Sequence, residues 1–153
     1  MVNTFLGIVS FSICVFIAFN KVNENKKNIE VLNYFVDFNR NLKINLEHKK
    51  LDLIKFVKSY DKDNVILKSY LKQINKSQLN FELIKNEKIK ILIENYFSGL
   101  GKSNTKSQIE YVELYSEILE KELYEYKVLG DKKIKLYPKI GIFSGLIFLI
   151  ILI

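Results

Sequence analysis

The pattern of apolar and polar positions divides the chain into three stretches. Val2 to Phe19 is apolar apart from Asn3, Thr4 and two serines, and Ile140 to Ile153 apart from Ser144 and two glycines. Between them, apolar residues recur at spacings of three and four, the period of a helix with one buried face. Ile29, Leu32, Phe35, Phe38, Leu42 and Leu46 predict an amphipathic helix from about Asn25 to His48. Leu51, Ile54 and Val57, then Ile66, Tyr70 and Ile74, predict two shorter helices separated by Asp61-Lys62-Asp63. Ile89, Leu92, Ile93 and Tyr96 predict a helix from about Asn86 to Ser98. After Gly101, Val112, Tyr115, Ile118, Leu119 and Tyr126 mark a long helix to about Leu129, with Thr105 and Gln108 placed as a capping box. No proline precedes Pro138, no glycine lies between Gly7 and Gly99, and alternating strand patterns are scarce. The expected fold class is all-α.

The two ends read as membrane helices. Eighteen helical residues span about 27 Å, close to the thickness of a hydrocarbon core. A cleaved signal peptide is the rival reading of the first end, but it wants a basic leader and small residues at its cleavage site. Here the first lysine is Lys21, and Ile13 stands where a lipoprotein box needs a small residue before Cys14. The second end is shorter, about 25 Å when counted from Tyr137. A buried core helix is the alternative there, yet the run has no polar face. The expected organisation is a transmembrane helix over 2–19, a helical domain over 21–136 and a transmembrane helix over 137–153.

Charge fixes the expected orientation. All 24 basic and 17 acidic side chains lie between Lys21 and Lys139. Lys21, Lys26 and Lys27 follow the first apolar segment, and Lys127, Lys132, Lys133, Lys135 and Lys139 precede the second. Lysines flanking membrane spans stay on the cytoplasmic side, so the middle domain is expected in the cytoplasm of a two-pass protein. Within the middle, Ile109 to Tyr126 holds six Glu and one Lys, whereas residues 49–90 hold eleven Lys and five acids. An acidic helix beside a basic remainder is either a solvated face or a docking surface. Arg40 is the single arginine, so no Arg-rich patch argues for nucleic acid.

Small residues mark candidate contact points. Gly141 and Gly145 form a GxxxG in the second apolar segment; Gly7, Ser10, Cys14 and Ala18 form a small-residue stripe in the first. Such residues let membrane helices approach closely, although glycine is also common in membrane helices for other reasons. With one cysteine and one histidine (His48), neither an internal disulfide nor a His/Cys metal cluster is expected.

The stretch FSGLGKSNTKS (97–107) ends its glycine pair with Gly101-Lys102-Ser103, as a phosphate-binding loop does. That loop also needs a glycine five residues before Gly101, where Tyr96 stands, and a buried strand ahead of it. The preceding segment is an amphipathic helix. The plainer reading is a turn, in which Gly99 and Gly101 end one helix before the next begins. No catalytic, cofactor-binding or metal-binding residues are expected, and no small-molecule substrate.

This turn, with the long helix and apolar tail behind it, resembles the stage III sporulation protein AB family. Leu100-Gly101-Lys102-Ser103, Gln108, Tyr137, Ile140-Gly141 and Gly145 occupy the places of the family's turn, helix and tail motifs, and FLGIVS near the start also fits. INLEHKKLD (44–52) departs from the pattern, lacking the proline and tyrosine expected in that corner. The resemblance implies a small helical bundle similar to the cytoplasmic domains of the type II secretion platform protein. It implies a non-enzymatic scaffold of the sporulation channel between mother cell and forespore, needed for spore development, in the mother-cell membrane around the forespore. Partners implied are the bilayer and other membrane proteins of that complex, including its secretion-type ATPase. Contact residues would be the small ones of the membrane helices and the turn residues Gly99, Gly101, Lys102 and Ser103. The alternative is a regulator of another membrane machine that acts through lipid contact of its lysine-rich flanks.

Overall fold

The computed structural model describes residues 2–49, 52–60, 69 and 84–152. Among them there is no strand. Helix α1 runs Val2–Ile44, a π-helical turn comes next over Asn45–Lys49, and α2 is Leu53–Ser59. Helix α3 is Glu87–Gly99 and α4 is Thr105–Leu152. The expected second short helix around Ile66, Tyr70 and Ile74, with its Asp61–Asp63 break, lies outside the described residues.

At both ends the structure merges what the pattern separates. Each apolar segment and its neighbouring amphipathic helix form one continuous helix, α1 of 43 residues and α4 of 48. A change from apolar to polar residues changes what solvates a helix, but it gives the backbone no reason to stop. No glycine or proline interrupts α1 after Gly7. In α4, Pro138 lies inside the helix. It forfeits the hydrogen bond to the carbonyl four residues earlier, that of Ile134, and the long flanking turns carry the helix through.

The chain forms two compact units, Glu30–Tyr124 and Met1–Ile29 with Glu125–Ile153. The first holds an aromatic-rich core. Leu32, Phe35, Phe38 and Leu42 of α1 are fully buried at spacings of three, three and four. Ile89, Ile93 and Tyr96 of α3 and Val112 and Leu119 of α4 are equally buried. Phe38 is the hub: its ring centroid lies 5.8 Å from Phe56, 5.2 Å from Tyr60, 6.5 Å from Tyr96 and 6.2 Å from Phe97. Edge-on and tilted aromatic pairs at such distances add to the burial energy. In α2 the expected register is off. Phe56 is buried and Ile54 exposed, because the helix docks through the aromatic cluster rather than through Ile54 and Val57.

Polar contacts register α1 and α3 against α4. The buried Asn39 amide donates to the Val112 carbonyl at 2.9 Å and to Ser116 Oγ at 2.7 Å. Around this core, Glu113, Glu120 and Glu122 of α4 pair with Lys43 at 2.8 Å, Arg40 at 3.2 Å and Lys88 at 2.6 Å. At least half of the six glutamates of the acidic helix are therefore matched within the chain. The π-helical turn falls in INLEHKKLD, the stretch that departs from the family pattern. Asn45, the first residue of that turn, is buried at 1% exposure.

The second unit pairs the start of α1 with the end of α4, running antiparallel: Ile29 lies against Gly130, Ala18 against Gly141 and Phe11 against Gly145. Outside that seam its large apolar side chains are exposed, among them Phe5, Phe16, Phe143 and Ile150.

Candidate functional site

Two places gather the residues that the sequence singles out. The first is the seam of the α1–α4 pair. A methyl group placed on Gly141 would lie 2.5 Å from the Ala18 methyl and 3.2 Å from the Cys14 carbonyl oxygen. One placed on Gly145 would lie 2.7 Å from the Phe11 ring and 3.3 Å from the Phe11 Cα. A side chain at Gly141 would collide with the Ala18 methyl, and one at Gly145 with the Phe11 ring, unless the helices shift. Gly7, Ala18, Gly141 and Gly145 are buried in the seam unit, while Ser10 and Cys14 are half-buried. The structure thus brings Cys14 and Ala18 together with the GxxxG pair. Phe11, which closes over Gly145, is missed by a search for small residues; its position four before Val15 on the same helical face is its signal.

The rest of both segments is bare. α1 and α4 are each long and apolar enough to cross a membrane. Only 17% and 11% of their most apolar stretches are buried, which separates them from core helices of a water-soluble protein. The hydroxyls of Ser12 and Ser144 donate to the carbonyls of Ile8 and Ile140, at 2.9 and 2.8 Å. Polar groups satisfied on their own helix suit a medium without water.

The second place is the α3–α4 turn. Gly99 ends α3, and the Tyr111 ring lies over it where any Cβ would collide. The Tyr111 hydroxyl donates to the carbonyls of Asn95 and Tyr96, both at 2.9 Å. It fastens the last turns of α3 to α4. Burial, with Tyr115 beside it, pushes the Tyr111 phenol above the usual tyrosine range, so the hydroxyl keeps its proton and stays a donor. Gly101 takes a left-handed φ of +75°, with the Leu53 side chain 3.0 Å from where its Cβ would stand.

The cap of α4 differs from the expected one by a residue. Asn104 accepts from the Ser107 N–H at 3.0 Å, and Gln108 Oε1 accepts from the Gly101 N–H at 2.7 Å. Asparagine is the stronger N-cap, so it takes the place assigned to Thr105. Gln108 still reaches back, but to the glycine that needs an acceptor. In the first turn of α4 the Ser107 N–H goes to Asn104 Oδ1, and the Gln108 N–H makes the first helical bond, to the Asn104 carbonyl at 2.9 Å. The element before the turn is helix α3 rather than a strand, so the context of a phosphate loop is missing. Lys102 and Ser103 are exposed at the tip. Among the described residues no three His, Cys, Asp or Glu side chains are grouped to hold a metal ion.

The turn and the α4 side of the seam both fall within a known family's span. The family model of stage III sporulation protein AB matches residues 55–153. This span takes in the α3–α4 turn, the whole of α4 and both glycines of its GxxxG, and leaves α1 with FLGIVS outside. Neither the curated proteins nor the solved structures yield a match. On the match to about two thirds of its length, the chain belongs to the stage III sporulation protein AB family.

Proposed function

We propose that this membrane protein is a non-enzymatic scaffold of the sporulation channel complex between mother cell and forespore. It is held in the mother-cell membrane by the ends of α1 and α4, with Glu30–Tyr124 in the cytoplasm. The observation that carries the reading is the α1–α4 pair. It presents long apolar faces that nothing among the described residues covers, and it joins two helices through contacts at glycines. Such a pair is built to be solvated by lipid and to hold its two helices at a set distance. Membership of a sporulation family supplies the process. The proposed partners are other membrane proteins of the complex, its secretion-type ATPase included, with the exposed tip of the α3–α4 turn as a contact. The buried tyrosines are shifted away from ionisation, which suits packing rather than acid–base chemistry.

The test is recovery of the tagged chain from membranes of sporulating cells. A stable set of membrane proteins with the ATPase is expected; recovery of the chain with lipid alone would overturn the scaffold role. Orientation has its own test. With Cys14 replaced by Ser, a cysteine at the exposed Ser59 should resist an impermeant thiol reagent in intact cells and react after lysis. Labelling in intact cells reverses the assigned topology.

A further inference from the structure

The unit formed by Met1–Ile29 and Glu125–Ile153 carries eight lysines against Glu24, Glu125 and Asp131, a net charge of +5 out of the chain's +7. Of the five lysines that α4 gives this unit, three share one side of the helix. Gly130, Ile134, Tyr137, Gly141 and Gly145, at spacings of four, three, four and four, are buried or half-buried, and three of them meet α1 directly. Lys132, Lys135 and Lys139 recur at three and four on the other side: two residues beyond Gly130 and Tyr137 is about 200° around the helix. All three are exposed, and among the described residues none forms an ion pair, although Asp131 stands one turn before Lys135. Further along the same side come Phe143, 67% exposed, and Ile150, 74% exposed.

We propose that Lys132, Lys135 and Lys139 form a binding face for anionic phospholipid headgroups. Whatever meets this side of α4 must be anionic at one level and apolar at the next. The lysines occupy about 10 Å of helix length and the apolar side chains come immediately after them. A phosphate headgroup above its own acyl chains has that profile; the acidic surface of a water-soluble protein does not continue into hydrocarbon. The flexible stems let Lys135 and Lys139 reach back toward the headgroup layer while their methylenes stay on the apolar side. This inference rests on the proposed membrane placement of α4.

Tryptophan is absent from the chain, so Leu136→Trp installs a single reporter beside the three lysines. The full chain carrying it is reconstituted in vesicles, and quenching by brominated phosphatidylglycerol is compared with quenching by brominated phosphatidylcholine. A preference for the anionic lipid of about five-fold, the worth of one lysine near a charged surface, is expected at low salt and should fall in high salt. Lys132→Gln, Lys135→Gln and Lys139→Gln together should remove most of the preference, and an unchanged ratio in this variant refutes the face. Removing as many exposed lysines elsewhere (Lys55→Gln, Lys58→Gln and Lys85→Gln) should leave the ratio unchanged. Equal quenching by both lipids in Leu136→Trp alone refutes the headgroup face while leaving α4 in the bilayer. Quenching by neither lipid refutes both.

Discussion

In the Glu30–Tyr124 unit the buried contacts are made by large side chains: Tyr96, Phe35, Phe38 and Leu32 are without exposed surface. In the α1–α4 seam the contacts run through Gly130, Gly141, Gly145 and Ala18. The same two helices take part in both. The contrast arises from solvent. In water, burying large apolar side chains is itself the driving force. In hydrocarbon that force is absent, because lipid tails are as apolar as leucine; association then depends on how closely two backbones approach. Charge divides in the same way. The aqueous unit carries 16 cations and 14 acids and matches several across its helices, while in the seam unit Lys132, Lys135 and Lys139 stand exposed on the side of α4 away from the packed face.

The sharpest break in this comparison is truncation of the aqueous core. Phe38→Ala would remove the ring that touches four others, leaving a cavity no neighbour can fill. A loss of about 3–5 kcal/mol is expected, read as a fall in the thermal midpoint of the full chain. Small-to-large change is harmless at few places in that unit, but it is the seam that should fail by it. Gly141→Leu with Gly145→Leu raises hydrophobicity, so insertion should persist. The helices must separate to admit the side chains, at about 1–3 kcal/mol for each overpacked site. Co-purification of partners at matched membrane levels is the measurement. Unchanged recovery would make the glycines incidental, and Gly→Ala replacements serve if the double variant does not insert.

The two units also differ in how far the sequence discloses them. The period of three and four names most of the α1, α3 and α4 core, since every buried residue there lies on one helical face. The seam is announced only as two separate stripes of small residues. Their mutual placement, Gly141 on Ala18 and Gly145 on Phe11, depends on antiparallel register, which no local pattern carries. The α3–α4 turn is half disclosed. Gly99 and Gly101 mark it, but the reason Gly99 must lack a side chain is Tyr111, twelve residues on, and spacing alone does not show that contact. The continuity of α1 and α4 is missed because a change in polarity looks like a boundary and is not one to the backbone.

Tyr111 supplies a smaller test, local to the turn. Tyr111→Phe keeps the ring over Gly99 and removes one donor from the Asn95 and Tyr96 carbonyls. About 1 kcal/mol of destabilisation is expected, the net worth of a lost hydrogen bond with an acceptor left open. Hydrogen exchange should rise at the end of α3 and leave the seam unit unchanged. A loss spread over both units would mean that the turn governs more than its own helix end.

The smallest effect is expected at Lys102. Its place in Gly101-Lys102-Ser103 imitates the lysine that reaches a bound nucleotide's phosphates, yet the structure gives it none of that setting. The residue is exposed, a helix precedes the turn, and the Ser107 N–H in the first turn of α4 is taken by Asn104. A side chain at the exposed tip of a turn contributes little to folding, so Lys102→Ala should alter stability by no more than about 0.5 kcal/mol. Two measurements then separate what the tip is for. Saturable ATP binding by the purified chain, abolished in Lys102→Ala, would restore the phosphate-loop reading that the surrounding helices argue against. Loss of partner recovery with stability unchanged and no ATP binding would instead make the tip a contact of the scaffold. The turn would then be held rigid by Tyr111, Asn104 and Gln108 in order to present it.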